Sequence, residues 1–153
     1  MDYKLINYII DGNNLIGKIK SVKDLQRQDK QASREKLVFM LDRYFAGKKN
    51  SVTLHLDGHP NGRINSAKMK IIYSENLTAD EKIKKQIENA ASRKKTVVIT
   101  SDANLAEFAR VCSCKVIPSD EFAKMITNMN KEDDEESRIR QMNNEEFIKL
   151  FNT

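Results

Sequence analysis

Short apolar runs that stop at an aspartate recur along this chain, and they constrain its fold more than any other feature. The clearest are LINYII (5–10) before Asp11, SVTLHL (51–56) before Asp57, and TVVIT (96–100) before Ser101-Asp102. Short apolar or β-branched runs that end at turn residues are typical of buried strands. We therefore predict three strands, each followed closely by a carboxylate.

Helical patterns and two shorter strands lie between and after these runs. Residues 33–45 carry the apolar stripe of an amphipathic helix, whereas the stretch between Gly12 and residue 33 reads as irregular. The further predicted elements are a strand at 69–73, a helix opened by the capping-box pattern of residues 78–81, a helix after Asp102, a strand at 115–117 and a helix at 119–129. Alternating strands and helices without hairpin signals predict an α/β, three-layer fold with a central, mostly parallel sheet flanked by helices.

The charge is distributed unevenly over the 153 residues. The formal net charge is +5, but residues 130–153 contain 4 basic and 7 acidic residues, which leaves residues 1–129 strongly basic. We predict one folded domain at 1–129 and an acidic, weakly amphipathic C-terminal extension at 130–153 that begins as a solvated linker or helix start. A basic body attracts polyanions such as nucleic acids.

Several classes of protein are disfavoured by the sequence. No run approaches the ~18 apolar residues that a membrane span requires, and the N-terminus lacks the pattern of a secretion signal, so we expect a cytoplasmic protein without a membrane partner. Cys112 and Cys114 have no companion pair, which argues against a disulfide framework or a zinc site. The sequence leaves the oligomeric state open.

Asp11, Asp57, Asp80 and Asp102 are expected to share the edge of the sheet at which parallel strands end. Clustered carboxylates repel one another unless a cation offsets their charge, and hard oxygen ligands without His or Cys favour Mg²⁺ or Mn²⁺. A metal held there can activate water for phosphodiester hydrolysis. Each aspartate alone also fits a structural role as a helix cap, a first-turn acid or a turn residue.

Five segments in this order resemble the YacP-like NYN family of PIN-like nucleases: IIDGNNLIG, SREKLVFMLDRY, LHLDGH, MKIIYSENLTADEKI and VVITSDANLAEFAR. The resemblance runs from about residue 6 to residue 126. It implies a PIN-like parallel sheet, a divalent-metal site made of aspartates and endoribonuclease activity, with some relatives cutting messenger RNA on the translating ribosome.

Carried over residue by residue, the resemblance makes Asp11, Asp80 and Asp102 the metal ligands. Asn14 and Ser101 become supporting polar groups, and Asp57 completes or orients the site. The sequence departs from the family pattern at CSC, residues 112–114, and in its short acidic extension, which weakens the case for docking on the ribosome.

Six basic residues are candidates for holding an RNA backbone through hydrogen bonds to phosphate: Lys18, Lys20, Arg34, Arg63, Lys68 and Lys70. We assign neither His55 nor His59 to catalysis, and we expect Tyr73 to pack in the core.

The leading hypothesis is a metal-dependent endoribonuclease that cuts single-stranded RNA, with messenger RNA on the ribosome as one context. The alternative is a catalytically silent RNA- or ribosome-binding module of the same fold. A phosphoryl-transfer receiver domain is a third reading, but it requires an acidic pair after the first strand and a late lysine, neither of which is evident.

Overall fold

The computed structural model describes residues 5–151, with side chains described up to Lys131 and, beyond it, at residues 135, 136, 138 and 139. Its elements, in chain order, are β1 (Asn7–Asp11), α1 (Gly12–Ile16), α2 (Lys20–Gln26), α3 (Lys30–Phe45), β2 (Ser51–Leu56), β3 (Met69–Tyr73), α4 (Ala79–Glu88), β4 (Thr96–Ile99), α5 (Ala103–Val111), β5 (Lys115–Ile117) and α6 (Ser119–Phe151). A single 3₁₀ turn at Arg93–Lys95 precedes β4.

The five strands form one sheet in the order β3-β2-β1-β4-β5. Every neighbouring pair is parallel, so the expected mostly parallel sheet is parallel throughout the described residues. The strand order reverses at β1, which lies in the centre with β2 on one side and β4 on the other. Parallel sheets bind ligands at the carboxyl ends of their strands, near the point where the order reverses.

Helices cover both faces of the sheet, as the three-layer prediction requires. Successive residues of a strand point to opposite faces. Ile10 accordingly packs in a core cluster with residues of α3 and α6, whereas Ile9 packs with Ile83 of α4 and Leu105 of α5. Both isoleucines are fully buried, and this fixes the register of the central strand against its two helical layers.

The helices show where the sequence analysis was incomplete. The stretch predicted as irregular contains α1 and α2, whose lengths of five and seven residues are too short for a clear amphipathic period. Helix α3 begins at Lys30 rather than at residue 33, because the Asp29 carboxylate caps it by accepting a hydrogen bond from the Ala32 backbone N–H. The predicted capping box of α4 is confirmed, with Thr78 and Glu81 bonding reciprocally.

Helix α6 passes without a break through residue 130, where the sequence analysis expected a linker or the start of a new helix. The domain boundary at residues 129 and 130 therefore lies within one helix and stays a prediction. Within residues 5–151, no helix combines the length and the apolar character needed to cross a bilayer.

Candidate active site

The four predicted aspartates line one cavity at the carboxyl edge of the sheet. The cavity has a volume of about 420 Å³, and its lining comprises Asp11, Asn13, Asn14, Asp57, Thr78, Ala79, Asp80 and Asp102. These residues come from the ends of β1 and β2, the start of α4 and the start of α5. The fold thus brings together carboxylates from four separate segments, as expected from the topology of a parallel sheet.

Asp11 ends the central strand, and its carboxyl is largely enclosed by protein. The pKa of its carboxyl is raised from 3.8 to about 6, mainly by burial and to a lesser extent by the charges of Asp57 and Asp102, against the lowering effect of hydrogen bonds from Thr100 and the Asn14 backbone. The Thr100 hydroxyl donates to Asp11 Oδ2 at 2.9 Å. A nearby cation would favour the ionised carboxylate, because it offsets both the burial and the repulsion.

Asp57, directly after β2, joins two of the segments that form the cavity. Its Oδ1 accepts a hydrogen bond from the backbone N–H of Ala79 at 3.0 Å, so the carboxylate helps to anchor the first turn of α4. Its own backbone N–H donates to Asn13 Oδ1 at 2.9 Å. These bonds give Asp57 an orienting function in the fold, and its role in the reaction stays a prediction.

Asp80 lies in the first turn of α4 and is partly exposed. Its Oδ2 forms an ion pair with Lys84 Nζ at 3.0 Å, one helical turn further along. Exposed pairs of this kind contribute little to stability, typically about 0–1 kcal/mol. Loss of the ion pair with Lys84 therefore costs little free energy, so a divalent cation can replace the lysine as the partner of Asp80.

Asp102 has a structural function in addition to its place in the cavity. It is the N-cap of α5, with Oδ1 accepting from the Leu105 backbone N–H at 2.9 Å. Its backbone N–H donates to Thr100 Oγ1 at 3.1 Å, and the same hydroxyl donates to Asp11. Thr100 thus links two of the acids, a role that the sequence analysis missed although this residue ends the run TVVIT.

The predicted supporting residues Asn14 and Ser101 contact each other. Asn14 Oδ1 accepts from the Ser101 backbone N–H at 2.9 Å. The Ser101 hydroxyl accepts from the Ser119 backbone N–H at 2.8 Å and lies 3.3 Å from Asp120 Oδ1. Ser101 therefore ties the end of β4 to the start of α6. Asn13, which sequence reasoning did not single out, has the matching role towards Asp57.

The structure corrects the prediction that Arg34 contacts RNA. Its side chain is 2% exposed, and the guanidinium donates to the backbone carbonyls of Asp57 and His59. A signal for this was present in the sequence, because Arg34 lies three, four and seven residues before Leu37, Val38 and Leu41 on the apolar stripe of α3.

Lys68 and Lys70 lie at the wrong edge of the sheet for a contact at the aspartates. They flank the first residue of β3, whereas the aspartates follow the last residues of their strands. The Lys68 ammonium donates to the backbone carbonyl of Lys48. Any RNA contact they make is therefore remote from the cavity, because the parallel strands separate the two edges.

The remaining basic candidates line neighbouring depressions rather than the aspartate cavity. Lys18 and Lys20 line a cavity of about 650 Å³ that also includes Asp120, the residue beside Ser101. Arg63 lines a cavity of about 620 Å³ along the outer strand β3, together with Tyr73. The predicted RNA contacts of these three residues stay predictions.

The histidine of β2 and the aromatic residue of β3 have surroundings that suit structural roles. His55 is buried, its Nε2 lies 2.7 Å from Gln86 Oε1 of α4, and burial lowers the pKa of its imidazole. Tyr73 packs partly buried against the main core, with the Arg34 guanidinium 5.3 Å from its ring centre.

The cavity provides suitable chemistry for a divalent cation without a preformed cage. Among the residues that the structure describes, no group of three His, Cys, Asp or Glu side chains is arranged to hold a metal ion. Four carboxylates nevertheless line one cavity, and carboxylate oxygen is the donor that Mg²⁺ and Mn²⁺ prefer. The donor set fits an ion that retains several of its own water ligands, as Mg²⁺ commonly does.

Comparison with known proteins identifies the family. The sequence model of the YacP-like NYN domain matches residues 8–150. The chain belongs to this family. The match includes most of α6 and so runs past residues 129 and 130, where the sequence analysis placed a domain boundary; that boundary stays a prediction. Membership of the family supports a ribonuclease-type function.

Two solved structures share the fold of this YacP-like NYN domain. A point mutant of Rae1 (YacP) from Bacillus subtilis is similar with a TM-score of 0.72 and 24% identity, covering 92% of this chain and 85% of that chain. Another crystal structure of Rae1 (YacP) from the same organism gives a TM-score of 0.69 and 24% identity, covering 95% and 84%. No curated protein sequence matches the chain.

Proposed function

We propose that this YacP-like NYN domain is a divalent-metal-dependent endoribonuclease that hydrolyses phosphodiester bonds in single-stranded RNA. The observation that carries the proposal is the convergence of Asp11, Asp57, Asp80 and Asp102 on one cavity. The raised pKa of Asp11 supports it, because a buried carboxylate beside two others is stabilised in its charged form by a bound cation.

In this proposal Asp11, Asp80 and Asp102 hold Mg²⁺ or Mn²⁺, partly through water. When bound, the ion supplies an activated water and neutralises charge on the phosphate that is cut. Thr100 holds Asp11 and the backbone of Asp102 in place, and Asp57 fixes the first turn of α4, from which Asp80 projects. In the metal-free protein the Asp11 carboxyl is half ionised near pH 6 and becomes fully negative only at higher pH, so metal binding should strengthen as the pH rises through 6.

The substrate class follows from charge and family. The net charge of +5 favours a polyanion, and the family is one of nucleases that act on RNA. We propose messenger RNA in the cytoplasm as the physiological substrate and the translating ribosome as the context to test first. The basic surface around Lys18 and Lys20 is the proposed place for the RNA backbone. It connects to the aspartate cavity through Asp120 and Ser101, whose backbone N–H donates to Asn14.

The test is cleavage of a mixed single-stranded RNA by the purified protein with Mg²⁺ or Mn²⁺, with EDTA, and after substitution of Asp11. We expect EDTA to abolish cleavage and Asp11→Asn to lower the rate by more than the ~10–100-fold typical of changes to groups that only support a metal ligand. Glu107→Gln, a change at an exposed carboxylate of α5 that lines neither the aspartate cavity nor the cavity of Lys18 and Lys20, is the matched control and should cut at the wild-type rate. Cleavage that survives both chelation and Asp11→Asn would contradict the proposal.

A catalytically silent RNA- or ribosome-binding module is the second candidate. The absence of a preformed metal cage among the described residues, and the ion pair between Asp80 and Lys84, favour it. A cleavage assay on translating ribosomes that carry a labelled messenger RNA distinguishes the two functions. A silent module would bind there without producing new RNA ends, whereas a nuclease that needs the ribosome would cut only in that assay.

A further inference from the structure

Arg34 is a buried cation whose partners are backbone carbonyls instead of a carboxylate. Its Nη2 donates to the carbonyl of Asp57 at 2.6 Å and its Nη1 to the carbonyl of His59 at 3.0 Å. The guanidinium also lies 5.3 Å from the ring centre of Tyr73. The side chain reaches from helix α3 to the segment after β2 and holds that segment at two points, two residues apart.

The segment that Arg34 holds is bonded on several further sides. The Gly58 backbone N–H donates to Ser74 Oγ at 2.9 Å, and the Gly58 carbonyl accepts from the Glu75 backbone N–H at 2.8 Å. Gly58 has φ +85°, a conformation that favours glycine. Together with the bond from the Asp57 backbone N–H to Asn13, these contacts leave the Asp57 turn little freedom.

The placement of Asp57 also determines where helix α4 begins relative to the sheet. The Asp57 carboxylate accepts from the Ala79 backbone N–H, and Asp80 is the next residue of the helix. A shift of the Asp57 turn therefore moves one acid directly and a second acid through the start of α4. Hydrogen bonds of at most 3.0 Å connect Arg34 to Asp57 and Asp57 to Ala79, and Asp80 follows Ala79 in the chain.

Arginine can donate to two fixed acceptors at this position, which other side chains of similar size cannot do. An apolar side chain would fill the volume without the cost of burying a charge. Lysine would keep the charge, but its ammonium lacks the planar fork with which a guanidinium bonds two fixed acceptors. The feature specific to Arg34 is thus the simultaneous bond to two carbonyls on either side of Gly58.

We infer that Arg34 is a positioning residue of the aspartate site: by holding the carbonyls of Asp57 and His59 it sets the placement of Asp57 and, through Ala79, of Asp80. The inference rests on the proposed function for its catalytic meaning. It assigns to Arg34 a role in the geometry of the acids in place of a contact with RNA.

The experiment compares Arg34→Met and Arg34→Lys with a matched control on the same helix. Asp42 also ties α3 to the connection between β2 and β3, accepting from Ser66 Oγ at 2.7 Å and from the Ala67 backbone N–H at 3.1 Å. Asp42→Ala removes these two bonds but leaves the Asp57 turn untouched. A change that merely loosens the contact between α3 and this connection should therefore have equal effects in both variants.

Three measurements are made on the full chain. They are the Mn²⁺ affinity, from the electron paramagnetic resonance signal of the free ion, the amide hydrogen exchange of the metal-free protein, and the kinetics of RNA cleavage. For both Arg34 variants we expect Mn²⁺ binding weakened by ~10–100-fold, as for other groups that orient metal ligands. Exchange should accelerate at Gly58 and Ala79, and kcat should fall with KM for RNA little changed. In Asp42→Ala, exchange should accelerate at Ala67 instead, with Mn²⁺ affinity and kcat unchanged.

Wild-type Mn²⁺ affinity and Ala79 exchange in Arg34→Met, or full restoration of both by Arg34→Lys, would overturn the inference. If the Arg34 variants do not fold, Ser74→Ala tests the second step of the inference, because it removes the bond to the Gly58 N–H and leaves Arg34 in place. It should accelerate exchange at Gly58 and Ala79 and weaken Mn²⁺ binding. Accelerated exchange at Gly58 with unchanged Ala79 exchange and unchanged Mn²⁺ affinity would show that the turn does not place the acids, and would again overturn the inference. If the wild-type protein does not cut RNA in any assay, the proposed function is contradicted but the placement of the turn by Arg34 is not. Exchange at Gly58 and Ala79 still decides whether Arg34 holds the turn.

Discussion

Asn13 and Asn14 are neighbours in the chain, but their side chains bond to opposite sides of the central strand. Asn13 Oδ1 accepts from the backbone N–H of Asp57, after β2, and Asn14 Oδ1 accepts from that of Ser101, after β4. The first helix therefore fastens the two strands that flank β1 at the edge where the acids meet. The two amides share no hydrogen-bond partner.

Replacing each asparagine by alanine should show that the two hydrogen bonds stabilise the protein independently. We expect Asn13→Ala and Asn14→Ala each to lower the free energy of unfolding by about 1 kcal/mol, the usual value of one hydrogen bond. Since the bonds are separate, the double variant should lose close to the sum, within about 0.5 kcal/mol. Urea unfolding of the four proteins measures this. A double variant no less stable than either single one would show that the two bonds form a single unit.

Asp11→Asn should stabilise the protein in a pH-dependent way. The pKa of Asp11 in the folded protein is about 6, above the ordinary value of 3.8, so the folded state binds the proton more tightly than the unfolded chain does. This group's contribution to stability is therefore fully present below about pH 4 and is lost as the pH rises through 6. In metal-free buffer we expect Asp11→Asn to gain up to roughly 3 kcal/mol at pH 7.5, corresponding to about two pKa units.

The control for that prediction is the same pair of proteins at pH 4, where Asp11 is protonated and the gain should vanish. Saturating Mg²⁺ at pH 7.5 should also reduce the difference, because the ion stabilises only the carboxylate form. Thermal unfolding at both pH values provides the measurement. An equal gain at pH 4 and pH 7.5 would mean that charge burial at Asp11 is not its cause.

Asp102 allows the capping function to be separated from the proposed metal function. Asparagine is as good an N-cap as aspartate, so Asp102→Asn should keep the bond to Leu105 and most of the stability. Alanine removes the cap and should cost about 1 kcal/mol. We expect both variants to lose RNA cleavage to a similar extent, since both lack the carboxylate. Full cleavage by Asp102→Asn would identify Asp102 as a structural cap only.

The first residue of α1 should not tolerate a side chain. A Cβ at Gly12 would lie 2.5 Å from the His55 carbonyl oxygen and 2.8 Å from Leu56 Cδ2, so helix and strand would have to separate. We expect Gly12→Ala to destabilise the protein by about 1–3 kcal/mol, as overpacking does. Gly17→Ala, whose nearest neighbour would be 3.5 Å away, is the control and should be neutral or slightly stabilising. Equal unfolding midpoints for the two variants would contradict the close approach.

The strands and their acidic ends could be read from the sequence because a single physical rule governs them. A strand buried on both faces needs a continuous apolar run, and the run stops where polar side chains meet solvent at the edge of the sheet. Runs such as TVVIT and the aspartates after them therefore predicted both the sheet and the meeting of the four carboxylates.

Other features depend on tertiary contacts and left weaker signals. Helices α1 and α2 are short, and their residues do not repeat over enough turns to show a period. The positive charge of Arg34 suggested a surface contact, although its helical position points inward. Thr100 bonds to Asp102 nearby and to Asp11 across 89 residues of chain, and no local sequence pattern indicates a partner so distant.

That separation of 89 residues has a consequence for the order of events during synthesis. Asp11 is made early, at the end of the strand that becomes the centre of the sheet, whereas β4 with Thr100 and Asp102 emerges much later. Long-range pairing of this kind forms slowly, because a large loop must close first. A growing chain thus carries one wall of the acidic cavity while β2, β3 and α4 are made, and the second wall arrives only with β4 and the start of α5.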